Sequence, residues 1–168
     1  YKTVLEDNPR LDCRIKGLEN RSPHKIILDK DLKTPIKSNI LKSRKKYQTL
    51  IFYNRVKEKK INTLKKMNIK LIKMPLNKKG SFNLKNILME IKKKKFTRIF
   101  LEAGINLTKS FFQEGLIDEF HLFISKNEIG KNGNLNFKKL GNKFLKKENA
   151  YFQKVNLLGD KLITYKFN

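Results

Sequence analysis

The chain is 168 residues long, 39% hydrophobic, and carries a formal net charge of +25. That length is one domain's worth with enough apolar content for a core, and no run of about 18 apolar residues is present to span a bilayer. A single cysteine, Cys13, excludes an intrachain disulfide and any multi-cysteine metal site, His24 and His121 are too few for a histidine zinc centre, and a reducing compartment, the cytoplasm, is the expectation.

The first residue is Tyr1, and no signal peptide is readable; the TVLEDNP that follows reads as the middle of a longer protein, so a trimmed domain is expected. Asp7-Asn8-Pro9 is a turn signal. Leu11 to Ile15 alternates and predicts a short strand, and Gly17 to Pro23 a polar loop. His24 to Asp29 (HKIILD) is an apolar strand ending in an acid, with a turn over Leu32 to Pro35. Gln48 to Tyr53 (QTLIFY) is a second buried strand. Asn54 to Met67 is a lysine-rich helix with apolar positions at Val56, Ile61, Leu64 and Met67, and Ile69 to Met74 alternates as a strand. Asn83 to Lys95 predicts a helix with Asn83 in its cap region, Leu84, Ile87, Leu88 and Ile91 on one face, and lysines in the last turn.

Phe96 to Glu102 predicts a strand that ends in a carboxylate. Gly104 follows, then a helix over Leu107 to Glu114 closed by Gly115. Ile117 to Ile124 is a strand and Gly130 to Gly133 a loop. Tyr151 to Val155 and Lys161 to Phe167 form a hairpin across Leu158-Gly159-Asp160. Strands and helices alternate first, and strands alone follow. The pattern is an α/β domain with a mostly parallel sheet, an antiparallel C-terminal edge, and helices on both faces.

Function is less legible. No GxxxxGK[ST] loop, no GxGxxG after the first strand and no Ser-His-Asp context occurs. Strand, Glu102, Gly104 and a helix start together describe a place for an anion, because the amides of a helix N-terminus point outward and its dipole favours negative charge. Glu102 at a strand end either accepts hydrogen bonds from a ligand or serves as a solvated or capping residue. Asn106 and Thr108 either cap the helix or meet a phosphate. Leu107 and Phe111 read as core, His121 as a structural histidine, and Cys13 as inert. Arg14 carries a guanidinium suited to a phosphate. The lysines are spread wherever polar residues are wanted, alongside abundant isoleucine and asparagine. That is compositional bias rather than a nucleic-acid stripe, although a positive field draws in phosphorylated ligands. A basic nucleic-acid-binding module is the rival reading. It requires exposed aromatics interleaved with the cations, whereas most Phe and Tyr here fall on apolar faces.

The segment TVLEDNPRLDCR resembles the TVLADDPxLTVR segment of the reductase domain of bifunctional riboflavin biosynthesis proteins, with Thr3, Val4, Leu5, Asp7, Pro9, Leu11 and Arg14 matching. KIILDKDLKTP is similar to that family's VVLDSxLRTP. FLEAGINLTKSFFQEGLIDEFHLFISKNEIG is similar to its VEGGxTLxxxFLxxGLVDELxxYxAPxLLG. The motifs run in order from Thr3 to Gly130, and the remainder matches in strand pattern. The resemblance implies a dihydrofolate-reductase-like three-layer sandwich, NADPH as cofactor, and a homodimer through this domain, with neither nucleic acid nor membrane as partner. It implies reduction of 5-amino-6-(5-phosphoribosylamino)uracil to the ribitylamino product, a hydride passing from the nicotinamide to the open-chain ribose carbon. A related pyrimidine or pteridine reductase of the same fold is the alternative.

By matching position, the resemblance implies that Thr3 and Asp7 contact NADPH, that Leu11, Arg14 and Glu102 contact the phosphorylated substrate, and that Gly104, Ile105, Asn106, Leu107, Thr108, Lys109 and Ser110 cradle the cofactor's phosphates. Lys30 stands where the family has serine, and a lysine there can meet the 2′-phosphate. No residue is matched to a proton donor or a metal. The family's first strand, with its SLDG-like segment, would precede Tyr1, as would a zinc deaminase domain with HxE and PCxxC motifs. Residues 1–168 are therefore expected to be the reductase domain without its first strand and the helix after it, weakly active or inactive alone and with an exposed sheet edge.

Overall fold

In the computed structural model, residues 1–42, 48–56, 58–127, 141, 143–153 and 158–167 are described. The chain divides into two units, Tyr1–Phe100 and Leu101–Asn168.

The first unit holds helix α1 (Lys2–Asp7), strand β1 (Lys25–Leu28), strand β2 (Thr49–Tyr53), helix α2 (Glu58–Lys66), strand β3 (Lys70–Lys73) and helix α3 (Leu84–Lys93). The strands form a parallel ladder in the order β1-β2-β3, pairing Ile27 with Ile51 and Ile51 with Leu71. Period-two alternation sends successive side chains to opposite faces. Ile27 and Ile51 pack with Val4 of α1 and Leu64 of α2 on one face, while Phe52 packs with Ile87 and Ile91 of α3, and with Ile26, Leu28 and Ile72, on the other. Helices thus cover both faces, which is why TLIFY reads as a continuous apolar run. Leu50, Ile51, Phe52 and Leu64 are wholly buried, each contributing about 1.5–3 kcal/mol of transfer free energy.

Three expectations need correction here. Leu11 to Ile15 forms no strand: Leu11 lies at φ 48, outside the extended region, and the Cys13 amide donates to Ser22 Oγ at 3.0 Å instead of to a ladder. The second helix begins at Glu58 rather than Asn54, because the amides of Asn54 and Arg55 are both drawn to the Lys30 carbonyl. Phe96 to Glu102 forms no strand, since among the described residues no neighbour takes its ladder hydrogen bonds, and Ile99 and Phe100 are 44% and 75% exposed. The cap of α3 is as expected: Asn83 Oδ1 accepts the Asn86 amide at 3.1 Å.

The second unit holds helix α4 (Ile105–Gln113) and strands β4 (Glu119–Ile124), β5 (Ala150–Gln153) and β6 (Lys161–Lys166), the strands forming an antiparallel ladder in the order β4-β6-β5. Gly115, at φ 62, closes α4 with its amide on Phe112 O. Phe112 centres the unit's apolar packing, stacked on Phe144 at 5.1 Å and meeting Phe120 and Phe167 at 5.2 and 5.5 Å. The expected loop at Gly130 to Gly133 and the end of the strand at Lys154 and Val155 lie outside the described residues. No helix among the described residues is long and apolar enough to cross a membrane.

Candidate functional site

In open α/β sheets, ligands bind beyond the carboxyl ends of the parallel strands, where loops rather than helices meet. In the first unit those ends are tied to one another. Asp29 N–H donates to Phe52 O, and the amides of Asn54 and Arg55 both donate to Lys30 O at 2.8 Å. Met74 N–H donates to Tyr53 O at 2.7 Å and Asn54 Nδ2 to Met74 O at 2.8 Å. Lys30 Nζ reaches across to Gly80 O at 3.0 Å, within a loop where Asn77 Oδ1 accepts the amides of Lys79 and Ser81.

The turn after β1 is built on Asp29. Its backbone carbonyl accepts the Leu32 amide, and its Oδ2 accepts the Thr34 amide at 2.6 Å. Lys60 of α2 donates to the Leu32 carbonyl. Leu32 takes a left-handed conformation, φ 49, unusual for a side chain of its size. Asp29 and Thr34 are buried, while Lys30 projects to solvent. The Tyr1 amine donates to Leu28 O at 3.2 Å; burial pushes its pKa down, and the Asp29 charge partly offsets this.

Beside this turn, α1 places Thr3 half-buried and Asp7 exposed. Asn8, left-handed at φ 42, caps α1 and fastens it: its Oδ1 accepts the Asn39 amide at 2.8 Å. Leu11 packs against the core cluster of α1 and α2, and Arg14 is exposed.

In the second unit, Gly104 is the N-cap of α4 in an extended conformation, φ −64 and ψ 162, with no side-chain cap and no acid in the first turn. Its carbonyl accepts the amides of Leu107 and Thr108, and helix geometry leaves those of Ile105 and Asn106 without an intrahelical acceptor. The Thr108 hydroxyl donates back to Ala103 O and Gly104 O, and that of Ser110 to Asn106 O, so neither side chain caps the helix. Lys109 is exposed. Glu102 is exposed two residues before the cap, on an unpaired segment rather than at a strand end. The helix start is therefore a donor set with no side-chain cap and no acid in its first turn, which suits a phosphate. His121 is structural: its Nδ1 lies 2.9 Å from Thr164 Oγ1, and Glu119 sits 3.6 Å from its Nε2.

Thr3, Asp7, Leu11, Arg14 and Lys30 thus belong to the first unit, and Glu102 with Gly104 to Ser110 to the second. Sequence reasoning passed over Asp29, Thr34, Asn54 and Arg55. The signal was available, since Asn54-Arg55 directly follows the most apolar strand of a parallel sheet.

A family model described as the RibD C-terminal domain matches residues 1–159. The riboflavin biosynthesis protein RibD of Aquifex aeolicus is 30% identical over 129 residues, 77% of this chain and 34% of that protein. The RibD of Actinobacillus pleuropneumoniae is 25% identical over 128 residues, 76% of this chain and 33% of its own length. The chain therefore spans about a third of the length of these curated relatives. Among solved structures, Acinetobacter baumannii RibD superposes with a TM-score of 0.70 at 19% identity, covering 98% of this chain and 44% of that one. A pyrimidine reductase-like protein from Corynebacterium diphtheriae gives 0.72 at 17% identity, covering 98% and 72%. These likenesses carry the fold, which is α/β and dihydrofolate-reductase-like, with the parallel strands in one sheet and the antiparallel strands in another rather than at an edge of the first.

Proposed function

The chain belongs to the RibD C-terminal domain family, and from that membership we propose that it is the reductase part of a riboflavin biosynthesis protein, reducing 5-amino-6-(5-phosphoribosylamino)uracil with NADPH in the cytoplasm. The observation that carries the reading is the start of α4, where an extended glycine cap opens a helix with no acid in its first turn and no side chain on its leading amides. Those amides suit the anionic oxygens of a dinucleotide, and Lys109 adds a charge one turn on.

NADPH, when bound, supplies the hydride; the protein's task is to align and to exclude water. Thr3 and Asp7, on and at the end of α1, offer a hydroxyl and a carboxylate for the cofactor's polar groups, and the tie between Asn8 and Asn39 keeps that helix in place. Arg14, exposed and in no ion pair among the described residues, grips the substrate's phosphate, and Leu11, held against the core, presents an apolar surface to it. Glu102, acceptor-only when ionised, takes hydrogen bonds from the pyrimidine's amino groups or the sugar hydroxyls.

The same reading includes a homodimer. On β4 and β5, Phe123 and Tyr151 are 63% and 55% exposed, and the register places them on one face of the antiparallel ladder. Covering that face in a second copy accounts for apolar rings that would otherwise meet water.

The test combines NADPH binding with substrate-dependent loss of NADPH absorbance. Arg14→Ala and Glu102→Gln should each lower kcat/KM by about tenfold or more, the loss of one charge-assisted contact. A folded protein that neither binds NADPH nor oxidises it in the presence of substrate would sink the reading.

A further inference from the structure

We propose that Arg55, seated beside Lys30 at the carboxyl edge of the parallel ladder, determines the preference for a phosphorylated dinucleotide by gripping the 2′-phosphate of its adenosine ribose. This rests on the dinucleotide reading above and goes beyond it by assigning a residue that neither the motifs nor the matched positions single out.

Position is the first ground. Arg55 lies two residues beyond the end of β2, and its amide and that of Asn54 converge on the Lys30 carbonyl, both at 2.8 Å. The backbones that bear the two cations are thus locked together at the edge where α/β sheets receive ligands. Lys30 Nζ is itself held by Gly80 O at 3.0 Å and keeps two further N–H donors.

Availability is the second. Arg55 is exposed, and among the described residues it enters no ion pair, whereas Arg10 is engaged by Asp12 at 2.8 Å. No carboxylate occurs from Tyr53 to Lys57, so within that stretch no anion competes with a phosphate for the guanidinium.

Composition is the third. The chain has 34 lysines and six arginines, so a cation wanted only for solubility is nearly always lysine. An arginine at a ligand-binding edge stands against that bias. Its planar fork matches two phosphate oxygens at once, while the neighbouring ammonium acts as a point charge on the third.

The chemistry recognised is a phosphomonoester dianion. It has two sources here, the dinucleotide's 2′-phosphate and the sugar phosphate of the substrate, and the adjacency to Lys30 favours the first. Calorimetric titration of the full chain with 2′,5′-ADP, 5′-AMP and ribose 5-phosphate separates them. The wild-type protein should bind 2′,5′-ADP at least tenfold more tightly than 5′-AMP. Arg55→Ala should weaken 2′,5′-ADP by about tenfold or more, as for a lost charge-assisted contact, and change 5′-AMP less than about twofold. Arg55→Lys, which keeps the charge without the fork, should fall between. Circular dichroism of both variants checks that they fold, and two variants keep the test open if one does not.

Equal losses for both adenine nucleotides, or none, overturn the assignment of Arg55. So does a variant that loses ribose 5-phosphate but keeps 2′,5′-ADP, because the phosphate gripped is then the substrate's. A wild-type protein that binds both adenine nucleotides equally removes the clamp and leaves the reductase reading standing. One that binds neither removes both.

Discussion

Replacing Asp29 with alanine probes what holds the turn that presents Lys30. Asp29 is wholly buried, and its Oδ2 takes the Thr34 amide at 2.6 Å. The variant deletes the acceptor and strands an N–H on a residue 1% exposed. A hydrogen bond to a charged acceptor is worth about 1.5–3 kcal/mol, and an orphaned buried donor costs about 1–3 kcal/mol; these describe one loss, so about 2 kcal/mol is the gross effect. Against this stands Asp29 Oδ1, buried with no partner among the described residues, whose removal returns part of a desolvation cost. The net loss should be about 1–2 kcal/mol, or a fall in Tm of about 3–6 °C for a chain of this size. Asp29→Asn keeps an acceptor oxygen without the charge and should lose about half as much. Thermal unfolding gives the magnitude, and hydrogen exchange at the Thr34 amide gives the place. If Asp29→Ala leaves that amide as protected as before and Tm within a degree, the carboxylate does not hold the turn.

Lys25 is buried at the start of β1; burial lowers its pKa, with Asp12 opposing and Arg10 adding to the shift. The folded chain binds this proton more weakly than the unfolded chain, so the residue's cost is present at neutral pH and is relieved as pH climbs from the folded pKa toward 10.5. Lys25→Met should therefore be the more stable protein at neutral pH, with its advantage shrinking toward pH 10.5 in denaturant titrations; a pH-independent difference contradicts this. Asn83→Ala removes the cap of α3 and should cost about 1 kcal/mol by urea midpoint, while Asn83→Asp should cost little. Phe112→Ala empties the centre of the second unit's aromatic packing and should cost about 3–5 kcal/mol, seen as loss of near-ultraviolet dichroism and faster proteolysis after Leu101. Phe123→Glu should shift the protein to monomer in sedimentation if that face joins two copies, and an unchanged sedimentation profile argues for another interface.

The elements read correctly from sequence were those whose pattern is set by burial. β2 is apolar throughout because helices cover both its faces, and α3 declares itself through Asn83 and the spacing of Leu84, Ile87 and Ile91. The failures were strands whose existence depends on a partner. Phe96 to Glu102 has the composition of a strand, but composition cannot supply the neighbour that takes its hydrogen bonds. Leu11 to Ile15 alternates correctly, yet the left-handed Leu11 and the Ser22 hydroxyl are tertiary facts that no period reveals. Site legibility divides the same way. The open start of α4 follows from Gly104 and the absence of first-turn acids, both visible in the sequence. The tie between Lys30 and Arg55 joins residues 25 positions apart through backbone atoms, which no side-chain motif records.

That division bears on what a charge of +25 can do. Its field attracts every anion alike and is screened beyond about 8 Å at physiological salt, so it accelerates encounter without choosing a ligand. Choice requires donors fixed before the ligand arrives, because a freely rotating lysine gives up on binding the side-chain entropy that a braced group has already lost. Among the described residues, few groups meet that condition. The leading amides of α4 do so through helix geometry, and Lys30 does so through Gly80 O and the turn on Asp29. Arg55 is fixed at its backbone by the Lys30 carbonyl, and its guanidinium is planar and rigid within itself, so its fork selects a phosphate that presents two oxygens together. Raising salt should therefore weaken binding of all phosphorylated ligands together, while substitutions at these fixed points should change their ranking.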